Sequence, residues 1–232
     1  MAVDDTYTKS LLHFEGADGS PTFTDESGKA WTRSGDAQID TAQYVFGGAS
    51  GLFDGTGDYI SASDSVDWYL DDGSNSNYWT IDFRVRFNSD PGTGEVPFYE
   101  QYVDASNWIR FNLYNNLLFF AQNIGGAVDL QVQKTWNPAG DTWYHVALVK
   151  NGTTGYLMFV DGTQVGTTET KTINLSNFAG GVDIGRQRGG SLQYFNGWFD
   201  EYRISKGVAR WTANFTPPTQ RYGGGGQVIW WS

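Results

Sequence analysis

Cysteine is absent from this chain of 232 residues, and cationic residues are scarce. Without cysteine the fold has no disulfide framework and no thiolate chemistry, so its stability comes from the core or in part from a metal. The 15 Lys and Arg against 26 Asp and Glu leave a net charge of −11. Because phosphate binding needs clustered cations, we expect no nucleic-acid partner. No apolar run approaches the roughly 20 residues of a membrane helix, so we expect no membrane insertion.

Glycine and aromatic residues are abundant, with 30 Gly, 13 Tyr, 15 Phe and 10 Trp. Between residues 79 and 87 apolar and polar side chains alternate, which is the period of a half-buried strand. The dipeptides Asn151-Gly152 and Asp161-Gly162 supply the positive-φ residues that two-residue hairpin turns require. These signals predict an antiparallel all-β protein, and a chain of this length fits one such domain.

Several segments together carry a family resemblance. They read LLHFEG (11–16), SGLFDGTGDYISAS (50–63), YWTIDFRVRF (78–87), WYHVALV (143–149), GYLMFVDGTQV (155–165) and GWFDEYRIS (197–205). This pattern resembles the laminin-G-like branch of the concanavalin A-like lectin and glucanase superfamily. The resemblance implies a two-sheet antiparallel jelly-roll sandwich, formed as a single domain by residues 1–222. Residues 223–232 then form a separate tail that is linked by four glycines and rich in tryptophan.

Aromatic residues at polar strand ends and loops could form a sugar platform, because pyranose faces stack on Trp and Tyr while polar groups bind the hydroxyls. The candidates are Tyr99, Tyr102, Trp108, Tyr114, Trp136 and Tyr194. Arg186 and Arg188 follow the Ile184-Gly185 step, where the pentraxin-like branch would need acidic residues for a ligand-bridging calcium. They form a small basic spot that could meet an acidic sugar. Packing under loops, or a solvated loop for the arginines, is the alternative for each candidate.

The resemblance also implies a structural calcium ion held between the last strand, the start of the first strand and loop carbonyls. The matching positions here are Asp200, Glu15 and the carbonyls near Gly47. Calcium prefers carboxylate and carbonyl oxygens and tolerates irregular geometry. The alternative is that the two carboxylates make hydrogen bonds and salt bridges, for example with Arg203 or Lys206.

Catalysis is disfavoured by the spacing of the acidic residues. Retaining glycosidases need two carboxylates about 5–5.5 Å apart, and on a strand residues i and i+2 provide such a pair on one face. No two acidic residues of this chain have that spacing, although a cross-strand pair stays possible. Asp200 and Glu201 are adjacent and should point to opposite faces. The two histidines, His13 and His145, lie in apolar runs and are interpreted as packed side chains. A polysaccharide hydrolase or lyase is therefore a secondary alternative.

The segments LLHFEG, FTDESG, FDGTGDYI and YRISKGVARWTANFTPP are similar to laminin-G-like domains of bacteriophage virion proteins. The start of the chain lacks the basic and apolar parts of a secretory signal. We therefore expect a non-enzymatic adhesion domain, made in the host cytoplasm and displayed on a virion as a capsid decoration, tail or fibre protein. Its partners would be cell-surface or environmental polysaccharide and other virion subunits. A purely structural subunit is the first alternative.

The C-terminal tail contains Ile229, Trp230 and Trp231, which are costly to leave in water. They could fold back onto their own domain. Alternatively, they could dock onto a neighbouring subunit, which in a homo-oligomer would be a second copy of this chain.

Overall fold

This computed structural model describes residues 5–71, 77–152, 155–189 and 192–223. The predicted docking residues Ile229, Trp230 and Trp231 therefore lie outside the described residues. Within the described part of the chain every regular element is a β-strand, and none is a helix. Accordingly, the described ranges contain no helix long and apolar enough to cross a membrane.

The strands are numbered in chain order. The first nine are β1 (Thr8–Leu12), β2 (Trp31–Ser34), β3 (Gln38–Asp40), β4 (Ser50–Asp54), β5 (Tyr59–Ala62), β6 (Trp79–Phe87), β7 (Val96–Asp104), β8 (Asn107–Tyr114) and β9 (Leu117–Ile124). The others are β10 (Ala127–Thr135), β11 (Trp143–Asn151), β12 (Gly155–Val160), β13 (Thr163–Gln164), β14 (Glu169–Thr170), β15 (Val182–Ile184), β16 (Arg186–Gln187), β17 (Gln193–Tyr194) and β18 (Asn196–Lys206).

Two large antiparallel sheets stack face to face. The seven-stranded sheet has the order β10-β9-β8-β7-β15-β5-β2. The nine-stranded sheet has the order β13-β12-β11-β6-β18-β4-β3, with β1 paired to β18 and β14 paired to β12. Strands β16 and β17 form a separate short hairpin. The sequence-based prediction of an all-β, two-sheet antiparallel sandwich is confirmed.

Alternation along the strands places one set of side chains between the sheets. On β6 the core receives Trp79, Ile81, Phe83, Val85 and Phe87, all of them buried. The Phe83 ring stacks on Tyr202 from β18 at 4.9 Å and meets Phe98 from β7 at 5.2 Å between ring centroids. Such contacts between large aromatic side chains contribute beyond the area they bury. Each sheet therefore keeps one further face outside the core. The outer face of the seven-stranded sheet is called the front face, and that of the nine-stranded sheet the back face.

Candidate functional site

The front face has its most regular row of side chains on β8. Ile109, Phe111 and Leu113 point into the core. The strand's other side chains therefore lie on the front face, and these are Trp108, Arg110, Asn112 and Tyr114. Neighbouring strands extend the row, because Tyr102 pairs with Trp108 and Glu100 pairs with Arg110. One face thus combines aromatic rings, a guanidinium, an amide and a carboxylate.

The β16–β17 hairpin lies over part of this face. Arg188 donates from its backbone N–H to Glu100 Oε2 at 2.6 Å, and the Gln187 side-chain carbonyl accepts from Asn112 Nδ2 at 3.1 Å. A Cβ added at Gly189 would lie 2.6 Å from Arg110 Nη2, which shows how closely the hairpin backbone approaches the sheet. The ring of Tyr194 stacks on Tyr59 of β5 at 6.4 Å. The hairpin therefore covers the part of the front face that is built by β5, β15 and β7, and it also reaches Arg110 and Asn112 on β8.

A cross-strand pair of carboxylates lies beneath the hairpin. Glu100 on β7 is directly opposite Asp183 on β15, and both are fully buried. Glu100 Oε1 accepts from Arg110 Nη2 at 3.2 Å. Asp183 Oδ1 accepts from Arg188 at 2.8 Å, and Asp183 Oδ2 accepts from Arg186 at 2.7 Å and from Arg188 at 2.6 Å. All four carboxylate oxygens thus accept hydrogen bonds from protein groups.

The electrostatics of this cluster follow from burial and pairing. Burial raises the pKa of Glu100 to about 7, although the Arg188 N–H and the Arg110 guanidinium oppose the shift. Burial lowers the pKa of Arg110, while hydrogen bonding to Asp183 raises the pKa of Arg188. A carboxylic acid with a pKa near neutrality is what a general acid needs. Here that acid is covered, so its raised pKa by itself does not make a catalytic site.

Six of the eight predicted ligand-binding residues come together at this face. They are Tyr102, Trp108 and Tyr114 on β7 and β8, and Arg186, Arg188 and Tyr194 on the hairpin. Tyr114 is 43% exposed, whereas Trp108 is 7% exposed because the Arg110 guanidinium lies 3.6 Å from the centre of its ring. The arginines do not form an open basic spot, since both bind Asp183.

The other two predicted residues lie elsewhere. Tyr99 is 1% exposed and faces the core, because a register shift between Pro97 and Tyr99 turns both Phe98 and Tyr99 inward. Trp136 packs edge-on against Tyr144 at 5.2 Å and against Phe87 at 5.8 Å, and it belongs to the core margin. The prediction that Tyr99 is a ligand contact is therefore wrong, whereas for the partly exposed Trp136 it stays a prediction that lies away from the front-face row.

The sequence analysis missed an outward aromatic residue on β9. The apolar run LLFF (117–120) hides its alternation: Leu118 and Phe120 enter the core, while Leu117 and Phe119 lie on the front face. Phe119 is partly exposed and pairs with Asn112 on one side and Gln133 on the other. The signal that could have revealed it is the strand period itself, applied across a run in which every residue is apolar.

The back face brings the predicted calcium residues to one loop. Asp200 on β18 is fully buried, and its Oδ2 accepts from the backbone N–H of Val45 at 2.8 Å and of Phe46 at 3.0 Å. Its other oxygen, Oδ1, is buried without a hydrogen-bond partner, and so is Glu15 Oε1. A Cβ at Gly47 would lie 1.1 Å from Glu15 Oε1. Glu15 and Asp200 therefore both contact the 45–47 segment, and only glycine fits at position 47.

The charge state of these carboxylates depends on what they bind. Burial raises the pKa of Asp200 to about 7, and burial also raises the pKa of Glu15. Two buried oxygens without donors are better satisfied by a cation than by remaining unpaired. Among the described residues there is no cluster of three or more Asp, Glu, His or Cys side chains that could hold a metal. Carbonyl oxygens of the loop would have to complete a calcium shell, which is chemistry that calcium accepts.

A further set of polar residues on the back face forms a buried network under the C-terminal segment. Arg203 and the Tyr222 hydroxyl bind Asp82, at 3.1 Å and 2.5 Å. His145 Nε2 lies 3.2 Å from the same hydroxyl, and His13 Nδ1 lies 2.6 Å from Glu201 Oε1. Both histidines are buried, as predicted. Glu201 adopts φ 49° at a register shift in β18, which places it on the same outer side as Asp200 rather than on the opposite one.

The chain belongs to the concanavalin A-like lectin and glucanase superfamily. The laminin-G-type family model of that superfamily matches residues 54–212. No curated protein sequence matches the chain.

Solved structures confirm the fold at low sequence identity. Domain 4 of AbnA, a GH43 extracellular arabinanase from Geobacillus stearothermophilus in complex with arabinotriose, has a TM-score of 0.65 at 14% identity, with 87% of this chain and 93% of that chain covered. The binding domain of Paraclostridial Mosquitocidal Protein 1 has a TM-score of 0.63 at 13% identity, with 88% and 49% covered.

A structure of botulinum neurotoxin type C, whose cell entry depends on interaction with two ganglioside molecules, has a TM-score of 0.63 at 15% identity, with 89% and 49% covered. This chain spans about half the length of the two toxin chains.

Proposed function

We propose that the chain is a non-catalytic glycan-binding domain whose ligand lies on the front face. The observation that carries this is the front face at the ends of β8 and β9, where Tyr114 is 43% exposed and Phe119 is partly exposed beside the buried polar side chains of Arg110 and Asn112. Sugar sites combine aromatic or apolar surface with a few polar groups that fix the hydroxyls. The fold family, the arabinotriose complex of one structural relative and the ganglioside dependence of another support the same ligand class.

Binding without hydrolysis fits the state of the acidic pair. Glu100 and Asp183 sit opposite each other as a glycosidase pair could, yet both are fully buried. Their oxygens already accept from Arg110, Arg186 and Arg188. A general acid must reach the glycosidic oxygen within hydrogen-bond distance, and the hairpin stands between these carboxyls and any ligand on the face.

The setting that we propose is the surface of a phage particle. Its support is the similarity of LLHFEG, FDGTGDYI and YRISKGVARWTANFTPP to laminin-G-like domains of virion proteins. In that setting the domain attaches the particle to cell-surface or environmental polysaccharide, and other virion subunits hold it in place. A structural subunit without glycan binding is the alternative, and the Trp230-Trp231 tail would be its contact.

We also propose a structural calcium ion on the back face, bound by Glu15, Asp200 and carbonyls near Gly47. The support is the pair of buried oxygens without partners on the two carboxylates. Its role would be to fasten the 45–47 segment to β18, away from the glycan face. The ion would thus affect stability more than sugar specificity.

A glycan-array screen of the recombinant protein, run with calcium and with chelator, tests the function. Saturable binding to one sugar class, without release of reducing ends from that sugar, is the expected result. Release of reducing ends that Glu100→Gln abolishes would instead make the protein a hydrolase. An array without any signal, together with tail-dependent assembly, would favour the structural subunit.

A further inference from the structure

The front face divides into two parts that differ in charge and in cover. One part is the arginine cluster between the sheet and the hairpin, where Arg110 of β8 and Arg186 and Arg188 of the hairpin meet acidic partners. The other part is a strip without any charged side chain, here called the neutral strip. It consists of Tyr114, Leu117, Phe119, Gln131, Gln133 and Thr135.

The cations of the arginine cluster are already paired with carboxylates. Arg186 and Arg188 both donate to Asp183, and Arg188 does so through two nitrogens at 2.6 Å and 2.8 Å. Arg110 is 8% exposed and lies between Glu100 and the ring of Trp108. A sulfate or carboxylate would have to share these guanidinium groups with carboxylates that already neutralise their charge, which reduces what a further ion pair can contribute.

The neutral strip, by contrast, is open. Strand register sets Phe119 beside Gln133, and Ala121 beside Gln131. Gln131 and Gln133 are exposed, and within the described ranges their amides bond to no protein group. The Phe119 ring likewise contacts no other aromatic ring among the described residues. At the margin of the strip, Asn112 is 1% exposed and donates to Glu95 Oε1 at 2.7 Å and to Gln187 Oε1 at 3.1 Å, so it marks where the open surface ends.

These groups match the chemistry of an uncharged sugar. The C–H face of a sugar ring packs against an aromatic ring, as Phe119 offers. Primary amides both donate and accept, so Gln131 and Gln133 can bind hydroxyls in either role. The strip supplies no cation, and the protein's net charge of −11 opposes the approach of polyanions.

We propose that the neutral strip is the primary glycan subsite and that its ligand is an uncharged polysaccharide chain, with Phe119 as the stacking platform. This inference rests on the proposed function and narrows it. The ion pairs of the arginine cluster then hold the hairpin in place beside the bound polysaccharide.

Affinity electrophoresis against soluble polysaccharides tests the inference. The probes are neutral arabinan, xylan and galactan, and anionic polygalacturonate and alginate. We expect retardation by at least one neutral polymer and by neither anionic one. Phe119→Ala should weaken that binding about tenfold, and the double variant Gln131→Ala/Gln133→Ala should weaken it as well. The matched control is Val128→Ala, an exposed side chain on β10 outside the strip, which should bind like the wild type.

Three results would overturn the inference. Retardation by polygalacturonate or alginate alone would indicate that the ligand is acidic and binds at the arginines. Wild-type affinity in Phe119→Ala, with loss in Tyr194→Ala, would move the subsite to the hairpin while leaving the proposed function intact. Absence of retardation by every polymer, together with a dimer that Phe119→Ala dissociates in sedimentation, would refute both claims. It would assign the strip to self-association. Unchanged thermal unfolding of each variant shows that a lost affinity does not reflect misfolding.

Discussion

The two outer faces have the same alternating pattern of side chains, but they differ in how much of each is covered by other segments of the chain. On the back face β6 points Asp82, Arg84 and Arg86 away from the core, much as β8 points Arg110 and Asn112 away from it on the front. The chain returns over the back face with residues 207–222, and Asp82 becomes fully buried. Among the described residues, the short β16–β17 hairpin is the element that returns over the front face. A polar sheet face is thus buried as a second, ionic core where chain covers it, as Asp82 is on the back face and Glu100 is under the hairpin. It stays available to a ligand where chain does not cover it, as on the neutral strip.

On the back face, burial and pairing together set the pKa values of the ionisable groups. Burial alone would raise the pKa of Asp82, but the Arg203 guanidinium and His145 outweigh it and hold this pKa well below its usual range. Burial also lowers the pKa of His145, whose ring meets Trp211 and Phe215 edge-on. Ionic groups that lie in a low-dielectric interior depend strongly on their partners. The back face should therefore control stability, and the front face should control binding.

The largest effect is expected from removing the central charge of the back face. Asp82→Asn takes away the carboxylate that binds Arg203 and the Tyr222 hydroxyl. Loss of one partner from a buried ion pair costs about 3–5 kcal/mol, because the remaining charge stays buried. Urea unfolding should show this decrease in the free energy of unfolding. A decrease below about 1 kcal/mol would mean that the network is hydrated and that the covering segment does not seal it.

Calcium should produce the next largest effect, and only through the back face. At a free concentration of about 100 times Kd, a bound ion stabilises the folded state by about 2.7 kcal/mol. Thermal unfolding with calcium and with chelator measures this difference. Asp200→Asn should abolish it, and Glu100→Gln should retain it. Both carboxyls are buried with a pKa raised to about 7, but only Asp200 has an oxygen without a donor.

The same pair of variants gives a prediction for pH. A carboxyl whose pKa is raised on folding holds its proton longer in the folded state, so stability is greatest below the unfolded pKa and decreases as pH rises. For Asp200 and Glu100 the decrease should extend from about pH 4 to about pH 7. Without calcium, each single variant should remove part of this decrease. With calcium, Glu100→Gln should remove most of what remains, since the ion favours the ionised form of Asp200.

The strand period predicted the fold, but it failed where the register shifts. Tyr102, Trp108 and Tyr114 were predicted only as aromatic residues at strand ends and loops, and their position on one face of β7 and β8 comes from the pairing of the two strands. Tyr99 faces the core because β7 contains one extra residue next to it. A bulge leaves no mark in the amino-acid types, so the alternation of a single strand could not reveal it. The bulge at Glu201 reversed the expected direction of that carboxylate for the same reason.

Contacts between residues that are distant in the sequence could not be predicted either. The spacing of the acidic residues excluded a local pair, yet Glu100 and Asp183 meet across neighbouring strands. Which strands become neighbours depends on the sheet order, and β7 lies between β8, which follows it directly in the sequence, and β15, which is distant in the sequence. The same holds for Tyr222, whose hydroxyl reaches Asp82 from a segment without regular structure.

A smaller effect should follow from removing a single hydroxyl of the back face. Tyr222→Phe keeps the buried ring but loses the 2.5 Å hydrogen bond to Asp82. Hydrogen bonds to charged groups contribute about 1.5–3 kcal/mol, and the intact Arg203 contact places the expected loss at the lower end. The matched control is Tyr114→Phe on the front face, where the tyrosine is 43% exposed. Equal losses in urea unfolding for the two variants would contradict the contrast between the faces.

The smallest effect on stability is expected on the neutral strip. Gln133 is exposed, and its amide bonds to no protein group among the described residues, so Gln133→Ala should change the free energy of unfolding by less than about 0.5 kcal/mol. Gln131→Ala should behave in the same way. If these variants unfold in urea like the wild type but bind polysaccharide more weakly, the contrast between a stabilising back face and a binding front face is sharpened. A loss of stability above about 1 kcal/mol would instead show that the strip is covered by chain, as the back face is, and that it does not offer its amides to a ligand.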